Sequence, residues 1–499
     1  MNISSESLKK YRMFIGGEWV EAASGEAFPS DNPYTAQPWA LIPRGGKADV
    51  ERAVEAAHRA LTAGEWPKLN ATKRGALLRK LGDLITDHAK ALAETEVRDN
   101  GKLWAEMSAQ TAYMAQWYYY FGGLADKIEG SVIPIDKPYT FNYTRHEPLG
   151  VVAMIIPWNS PLLLLAWKLA PALAAGNTVV VKPSEYTSAS ALEFIKLIEA
   201  AGFPPGVVNV VTGFGTEAGT PLVEHPKVAK VAFTGSDATG QRIYEAAAKG
   251  LKRVSMELGG KSPNIVFDDA QIDNAVKGVI SGIFAATGQT CIAGSRLLVQ
   301  RSIHDQFVDK LVALAKTAKM GNPMEPTTQV GPVTNAPQYE KILHYIDVAK
   351  REGAQAVLGG AKATRPECGT GWFVEPTIFT GVDNAMRIAQ EEVFGPVLSV
   401  IPFEDEDEAV AIGNDVVYGL AAGVWTQDMR RAFLMSERLQ AVTVWVNTYR
   451  AVSFMSPFGG YKRSGIGRES GQDMIYEYLQ TKSVWISTAT EVPNPFVLR

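Results

Sequence analysis

Apolar positions along this chain change period several times, and each change marks an element. From Lys47 to about Leu124 they recur at helical spacing (Val50, Val54, Ala57, Leu61, then Leu77, Leu78, Leu81, Leu84, Ile85), which predicts helices. Ahead of them, Met13-Phe-Ile-Gly-Gly-Glu-Trp-Val reads as two short runs around a Gly-Gly turn, a small hairpin. Between about Asp126 and Glu147 the pattern turns extended, with Ile128, Val132, Ile133, Ile135, Tyr139, Phe141 and Tyr143 broken by Pro134 and Pro138, whose missing N–H groups mark edge strands. Short apolar runs at 151–156, 178–181, 207–211, 228–233 and 253–257 then alternate with helical segments such as 162–175 and 189–201. That alternation predicts a parallel, doubly wound sheet. A second alternating unit follows, with strands near 264–267, 296–300, 397–402, 421–425 and 442–446 and helices at 270–286 and 304–318. The predicted fold class is α/β, with two doubly wound domains.

A sheet of this type binds ligands at the carboxyl ends of its strands. Trp158 and Asn159 follow the first run, Lys182 to Glu185 the second, Gly213-Phe-Gly215 the third, and Thr234-Gly235-Ser236 the fourth, while Glu257 closes the fifth. The G-x-G-x-x-G fingerprint of dinucleotide sites is missing. Gly213-Phe-Gly-Thr-Glu-Ala-Gly219 has one residue too many between its last two glycines and reads equally well as a plain turn. The stretch 284–295, Phe-Ala-Ala-Thr-Gly-Gln-Thr-Cys-Ile-Ala-Gly-Ser, sets Cys291 between Gly288 and Gly294, where a tight turn would let reactants approach the sulfur. A thiol so placed is a candidate nucleophile; the alternative is a buried cysteine acting as a small hydrophobe. The aromatic run Trp117-Tyr-Tyr-Tyr-Phe121 could cage a ligand, but at helical spacing packing between helices is the simpler reading. The acidic run 404–408 reads as a solvated first helical turn that complements the helix dipole.

Composition narrows the classes. A chain of 499 residues is too long for one core. A net charge of −4 with no cluster of Lys or Arg gives no field suited to nucleic acid or anionic lipid, so neither partner is expected. Two cysteines allow at most one disulfide, the start of the chain has no apolar signal core, and the longest apolar run, Leu162 to Trp167, cannot span a bilayer. The expectation is a cytoplasmic protein. No pair of His or Cys has metal-ligand spacing, so no catalytic metal is expected.

Five motifs taken together are specific: Pro157-Trp-Asn-Ser-Pro161, Met256-Glu-Leu-Gly-Gly-Lys-Ser-Pro263, the Cys291 loop, Glu391-Glu-Val-Phe-Gly-Pro396 and Ser456-Pro-Phe-Gly-Gly460. In this order and spacing, from about Met13 to Ile486, the chain resembles the aldehyde dehydrogenase superfamily. The resemblance implies a variant Rossmann cofactor domain (1–125 and 148–258), a catalytic domain (259–475) and a β oligomerisation arm (126–147 and 476–499), giving a homodimer or a dimer of dimers. It implies NAD binding without the glycine fingerprint: Lys182 and Glu185 on the adenosine ribose, Ser236 on the pyrophosphate, Glu392 on the nicotinamide ribose with Phe394 alongside, Gln338 and Lys341 on the other side, and Ile156, Trp158, Gly215, Gly219, Phe233, Gly235 and Leu258 completing the site. Glu185 would favour NAD over NADP.

For chemistry, it implies that Cys291 attacks an aldehyde, with its thiol pKa lowered by a helix N-terminus or neighbouring donors. Asn159 and the Cys291 N–H would hold the oxyanion, and Glu257 would activate the water that hydrolyses the thioester. Lys168 would be bonded near Glu257 and Glu392. The aldehyde tunnel would carry Ser160, Trp167, Thr290, Ile292, Arg450, Val452 and Phe458, and the small Ser160 and Val452 suggest a bulky or polar aldehyde. Arg450 reads either as a solvated loop residue or as a contact for a polar substrate end. A CoA-acylating enzyme and a non-enzymatic relative of the fold are the alternatives; the carboxylate of Glu257 argues against the first, and the presence of the cysteine, the asparagine and both glutamates against the second.

Overall fold

The strand Val151–Ile156 organises the first half of the molecule. In the computed structural model, which describes residues 8–492 and 494–497, it pairs in parallel with Val228–Thr234 on one side and Thr178–Pro183 on the other. The polar start of the chain at residues 1–7 and the end of the expected arm at 498–499 lie outside the described residues. Alternate residues of the strand face opposite ways. Val152 and Met154 join the cluster built on Leu165 and Leu169 of the helix Pro161–Ala174, whereas Val151 and Ala153 meet Val50 and Val54 of the helix Lys47–Thr62. Helices thus cover both faces, which is why the central strands are apolar throughout.

Eight strands form this sheet, in the order Gly465–Ile466, Arg253–Glu257, Val228–Thr234, Val151–Ile156, Thr178–Pro183, Val208–Val210, Met13–Ile15 and Glu18–Val20. The middle five are parallel, and the expected N-terminal hairpin adds two antiparallel strands at one edge. At the other edge Gly465–Ile466 pairs with Met256 and Glu257, so residues from beyond the division expected at 258/259 complete the first sheet.

The second sheet has seven strands, in the order Gln355–Leu358, Thr377–Thr380, Val397–Phe403, Arg296–Gln300, Pro263–Val266, Ala421–Trp425 and Thr443–Val446, all parallel except the first. The two leading strands and the helix Ala336–Arg351 were not anticipated. Gln355–Leu358 is an exposed antiparallel edge, so no apolar run announces it.

The helix Ala71–Asn100 starts at Asn70, whose side chain accepts from Lys73 N, and stops at Gly101 in the left-handed conformation. Trp117, Tyr118 and Phe121 on the helix Trp104–Leu124 are fully buried, and Trp117 stacks on Trp167 at 5.8 Å, so the aromatic run is packing. Asp405 caps the helix Glu406–Asn414, as the acidic run suggested.

The arm is a three-stranded antiparallel sheet in which Thr140–Pro148 pairs with Leu479–Ser487 and with Val132–Ile133. It leaves Val132, Phe141, Trp485 and Ile486 exposed.

Candidate active site

A left-handed turn delivers the thiol. Ala286, Thr287 and Gly288 have φ of 52°, 54° and 68°, and such residues outside glycine cost about 1–3 kcal/mol each unless their surroundings hold them. Here the surroundings do. Ala286 N donates to Glu106 Oε1 at 2.7 Å, Thr287 Oγ1 to Gly331 O at 3.1 Å, and Gln289 Nε2 to Pro332 O at 3.2 Å. At Gly288 a side chain is impossible as the backbone stands, because its Cβ would lie 2.0 Å from Gly395 O. Ile292 O accepts from Tyr449 Oη at 3.0 Å, which anchors the far side of the loop.

One cleft brings together Trp158, Asn159, Gly235, Ser236, Leu258, Cys291, Gln338, Lys341, Glu392 and Phe394. Asn159 follows the strand Val151–Ile156 and donates from Nδ2 to Gln289 O at 3.1 Å, beside the cysteine loop. Gln338 donates to the carbonyls of Val393 and Phe394 at 2.9 and 3.0 Å, holding Phe394 at φ 59°, and the Phe394 ring stands edge-on to Trp158 at 5.2 Å. Glu392 is a partly buried acceptor: Gly260 N donates to its Oε1 at 2.9 Å, and a Cβ on Gly259 would meet its Oε2 at 2.5 Å.

Of the remaining cofactor candidates, Lys182 and Glu185 pair at 3.2 Å at the end of Thr178–Pro183, and Ser236 caps the 13-residue helix Asp237–Lys249. Ile156 and Phe233 are buried at their strand ends, the Phe233 ring lying where a Cβ on Gly235 would go. Gly215 and Gly219 bound a tight turn, pinned by Arg44 on Glu217, outside the cleft that holds Cys291. The donors and acceptors suit a dinucleotide: an acceptor carboxylate beside a lysine for a ribose diol, a helix N-terminus for a pyrophosphate, and a glycine-lined passage for the ring that reaches the thiol.

Two expectations about ionisation need correction. Burial pushes the Cys291 thiol up to about 12, and Glu392 and Glu257 add to the shift; no helix begins at Cys291 to oppose it. Lys168, expected to be bonded near Glu257 and Glu392, lies close enough to Glu257 for its charge to act there but bonds to neither carboxylate. Its ammonium donates to Thr234 Oγ1 at 2.7 Å and pairs with the fully buried Glu469, a residue that sequence reasoning missed. The carboxyl of Glu257 is raised well above the ordinary carboxylate range by burial and by Glu469, with Lys168 pulling the other way. Glu469 lies in Gly467-Arg-Glu-Ser-Gly471, where no periodicity tells which side chain turns inward.

On the other side of the loop, Trp167, Val452 and Phe458 line a cavity of about 150 Å³ with Ala451, Ser453 and Pro457. Trp167 meets Phe458 edge-on at 4.9 Å, and Ile292 and Ser160 are buried nearby in sequence to Cys291 and Asn159, with Thr290 partly open. Arg450 is not among the residues lining that cavity; its guanidinium reaches Ser281 O at 3.4 Å from a backbone at φ 67°.

Among the described residues, one group has the make-up of a cation site: Glu51 and Glu55 with His225. His225 Nδ1 accepts from Lys227 N, so Nε2 keeps its proton and faces Glu51 as a donor, while Lys227 Nζ occupies Glu55. No helix among the described residues is long and apolar enough to cross a membrane.

The sequence profile of the aldehyde dehydrogenase family matches residues 19–484. The chain is 47% identical over 495 residues to the (Z)-2-((N-methylformamido)methylene)-5-hydroxybutyrolactone dehydrogenase of Acinetobacter baylyi, covering 99% of this chain and 100% of that one. It is also 47% identical over 478 residues to aldehyde dehydrogenase 1A1 of Homo sapiens, covering 95% and 94%. The crystal structure of betaine aldehyde dehydrogenase from Staphylococcus aureus in complex with NAD+ superposes with a TM-score of 0.96 at 43% identity, over 97% of this chain and 96% of that one. The chain belongs to the aldehyde dehydrogenase family and is an oxidoreductase that oxidises aldehydes with NAD.

Proposed function

We propose that this enzyme oxidises a bulky or polar aldehyde to its carboxylic acid with Cys291 as nucleophile, Glu257 as general base, and Asn159 with the Cys291 N–H as oxyanion donors. The observation that carries the reading is that Cys291 and Asn159 line one cleft, while the buried Glu257, at the end of the strand that leads to Leu258, is close enough for its charge to act on the thiol. Cys291 Sγ bonds to the carbonyl carbon, its proton leaves to solvent, and the carbonyl oxygen takes the negative charge, which fixed donors stabilise. NAD, when bound, accepts the hydride that the adduct gives up. Glu257, once ionised, takes a proton from water; the hydroxide adds to the thioester carbon, the C–S bond breaks, and the acid departs.

Lys182 and Glu185 hold the adenosine ribose, Ser236 the pyrophosphate, and Glu392 the nicotinamide ribose beside Phe394. Lys168 positions Glu469 and thereby tunes Glu257. The small Val452 in the lining of the substrate-side cavity supports room for a bulky aldehyde. A polar substrate is supported by the Acinetobacter relative, named for a 5-hydroxybutyrolactone, a cyclic hemiacetal whose open form is an aldehyde bearing a carboxylate. The exposed apolar face of the arm, on strands with a free edge, supports a homodimer or a dimer of dimers acting in the cytoplasm. The division into a cofactor domain, a catalytic domain and the arm is supported by the two sheets and the 479–487 pairing, with Gly465–Ile466 crossing back from the catalytic segment to the first sheet.

The test is NADH absorbance with aldehydes graded in size and charge, with and without CoA. Turnover without CoA, highest for bulky or polar aldehydes, is expected. A requirement for CoA would overturn the hydrolytic step, and a preference for acetaldehyde would overturn the substrate reading.

A further inference from the structure

Lys102 has no part in the chemistry above, yet it sits beside it. It follows Gly101 at the end of the helix Ala71–Asn100, and only 5% of it is exposed. Its Nζ donates to Ser160 Oγ at 2.6 Å, and Ser160 is the residue after Asn159. Among the described residues that hydroxyl is the one hydrogen-bond acceptor of an ammonium that has three protons to donate. The carboxylates that influence it are within reach of its field but not bonded to it: Glu106 accepts from Ala286 N at 2.7 Å and Glu96 from Leu162 N at 3.1 Å, each through Oε1, their Oε2 atoms are buried without a hydrogen-bond partner, and neither forms an ion pair with Lys102.

A buried charge so thinly partnered is costly unless it serves a negative guest. Ser160 agrees. It opens the helix Pro161–Ala174 without using its hydroxyl as the cap, and so keeps that oxygen turned to the ammonium. Arg450, whose guanidinium reaches Ser281 O at 3.4 Å, is a second positive charge whose field acts on Lys102.

We propose that Lys102, steered by Ser160, receives a carboxylate at the far end of the aldehyde, so that the preferred substrate is a short oxo acid. This deepens the reading of a polar substrate and rests on it. The chain between carbonyl and carboxylate is short because Asn159, which meets the oxyanion, and Ser160, which meets the ammonium, are adjacent. Arg450 supplies a second positive charge nearer the surface, drawing the anion in, while Glu96 and Glu106 keep the empty site from carrying a large net charge.

The experiment compares 4-oxobutanoate with its methyl ester, which removes the charge and keeps the chain. In the parent enzyme the acid should exceed the ester in kcat/KM by about tenfold or more, the range of a buried charge-assisted contact. In Lys102→Met that ratio should fall by about tenfold, mostly through the KM of the acid, and in Ser160→Ala by about threefold. A parent that handles acid and ester alike, or a ratio unmoved in Lys102→Met, overturns the proposal. Should Lys102→Met fail to fold, the parent's ratio and that of Ser160→Ala decide it in the same way. A parent that prefers large neutral aldehydes overturns the carboxylate receptor and leaves the bulky-substrate reading standing; a parent that prefers acetaldehyde overturns both.

Discussion

The two sides of Cys291 are built differently. On the cofactor side, position is held by backbone: Gly288 against Gly395 O, Gly260 N on Glu392, and Gln338 on the carbonyls of Val393 and Phe394. On the proposed aldehyde side, side chains of the loop between Thr443–Val446 and Gly465–Ile466 form most of the wall, with the loop held by Trp445 Nε1 on Ala451 O at 2.9 Å and by the backbone bridge between Phe458 and Glu469. Backbone geometry survives substitution of most side chains, whereas a wall of side chains changes with each one. Chemistry here is therefore conservative by construction, and substrate choice is adjustable.

The comparison breaks most completely at the thiol. Cys291→Ala should lower kcat by about 10⁴-fold or more while leaving the melting temperature near that of the parent, since loss of a covalent nucleophile has effects of this order. Turnover within about tenfold of the parent would contradict covalent catalysis.

Glu257→Gln should slow hydrolysis by about 10²–10⁴-fold, the usual contribution of a general base. Rapid mixing should then show a burst of NADH and a slow steady state. A missing burst would place Glu257 before acylation, as the base that ionises Cys291.

Proton affinity sharpens the contrast further. Cys291 and Glu257 are both raised, first by desolvation, so each gives up its proton at a higher pH than the free group would. The sign follows: the first-turnover rate should climb with pH, about tenfold per unit while ionisation limits it. A flat stopped-flow profile between about pH 6 and 9 would mean that bound cofactor has already brought the groups down.

Smaller effects belong to the periphery. Glu185→Ala should reduce the preference for NAD over NADP by about tenfold, since a carboxylate near the 2′ position repels a phosphate and Lys182 tempers that repulsion. Equal kcat/KM for the two cofactors in the parent would contradict the proposed ribose contact. Arg450→Ala should raise KM for a polar aldehyde about threefold and leave an aliphatic one of equal length nearly unchanged, as suits a residue tied to Ser281 O and absent from the cavity lining.

Legibility in the sequence follows the same division. Val151–Ile156 and Ala421–Trp425 were readable to the residue because central strands must be apolar on both faces. Asn159, Glu257 and Cys291 were readable because they stand where such strands and glycine turns end. Gln355–Leu358, exposed at a sheet edge, carried no such imprint. Glu469 and Lys102 were also hidden. Their roles depend on burial against partners far along the chain, Lys168 and Ser160, and a lysine after Gly101 or a glutamate among glycines looks like ordinary surface. The direction of the Cys291 shift was misjudged for the same reason: desolvation is a property of the packed cleft and leaves no trace in local sequence.

The segment from Gly465 to Ser487 serves three masters in quick succession. It adds the edge strand to the first sheet, inserts Glu469 beside Lys168, and then becomes the outer strand of the arm. The outer strand of the arm and the carboxylate that pairs with Lys168 are thus mechanically in series along one ribbon. A nick or truncation that frees this ribbon should silence the enzyme even though Cys291, Glu257 and Asn159 remain untouched, which makes the C-terminal region a natural lever for inactivation by proteolysis.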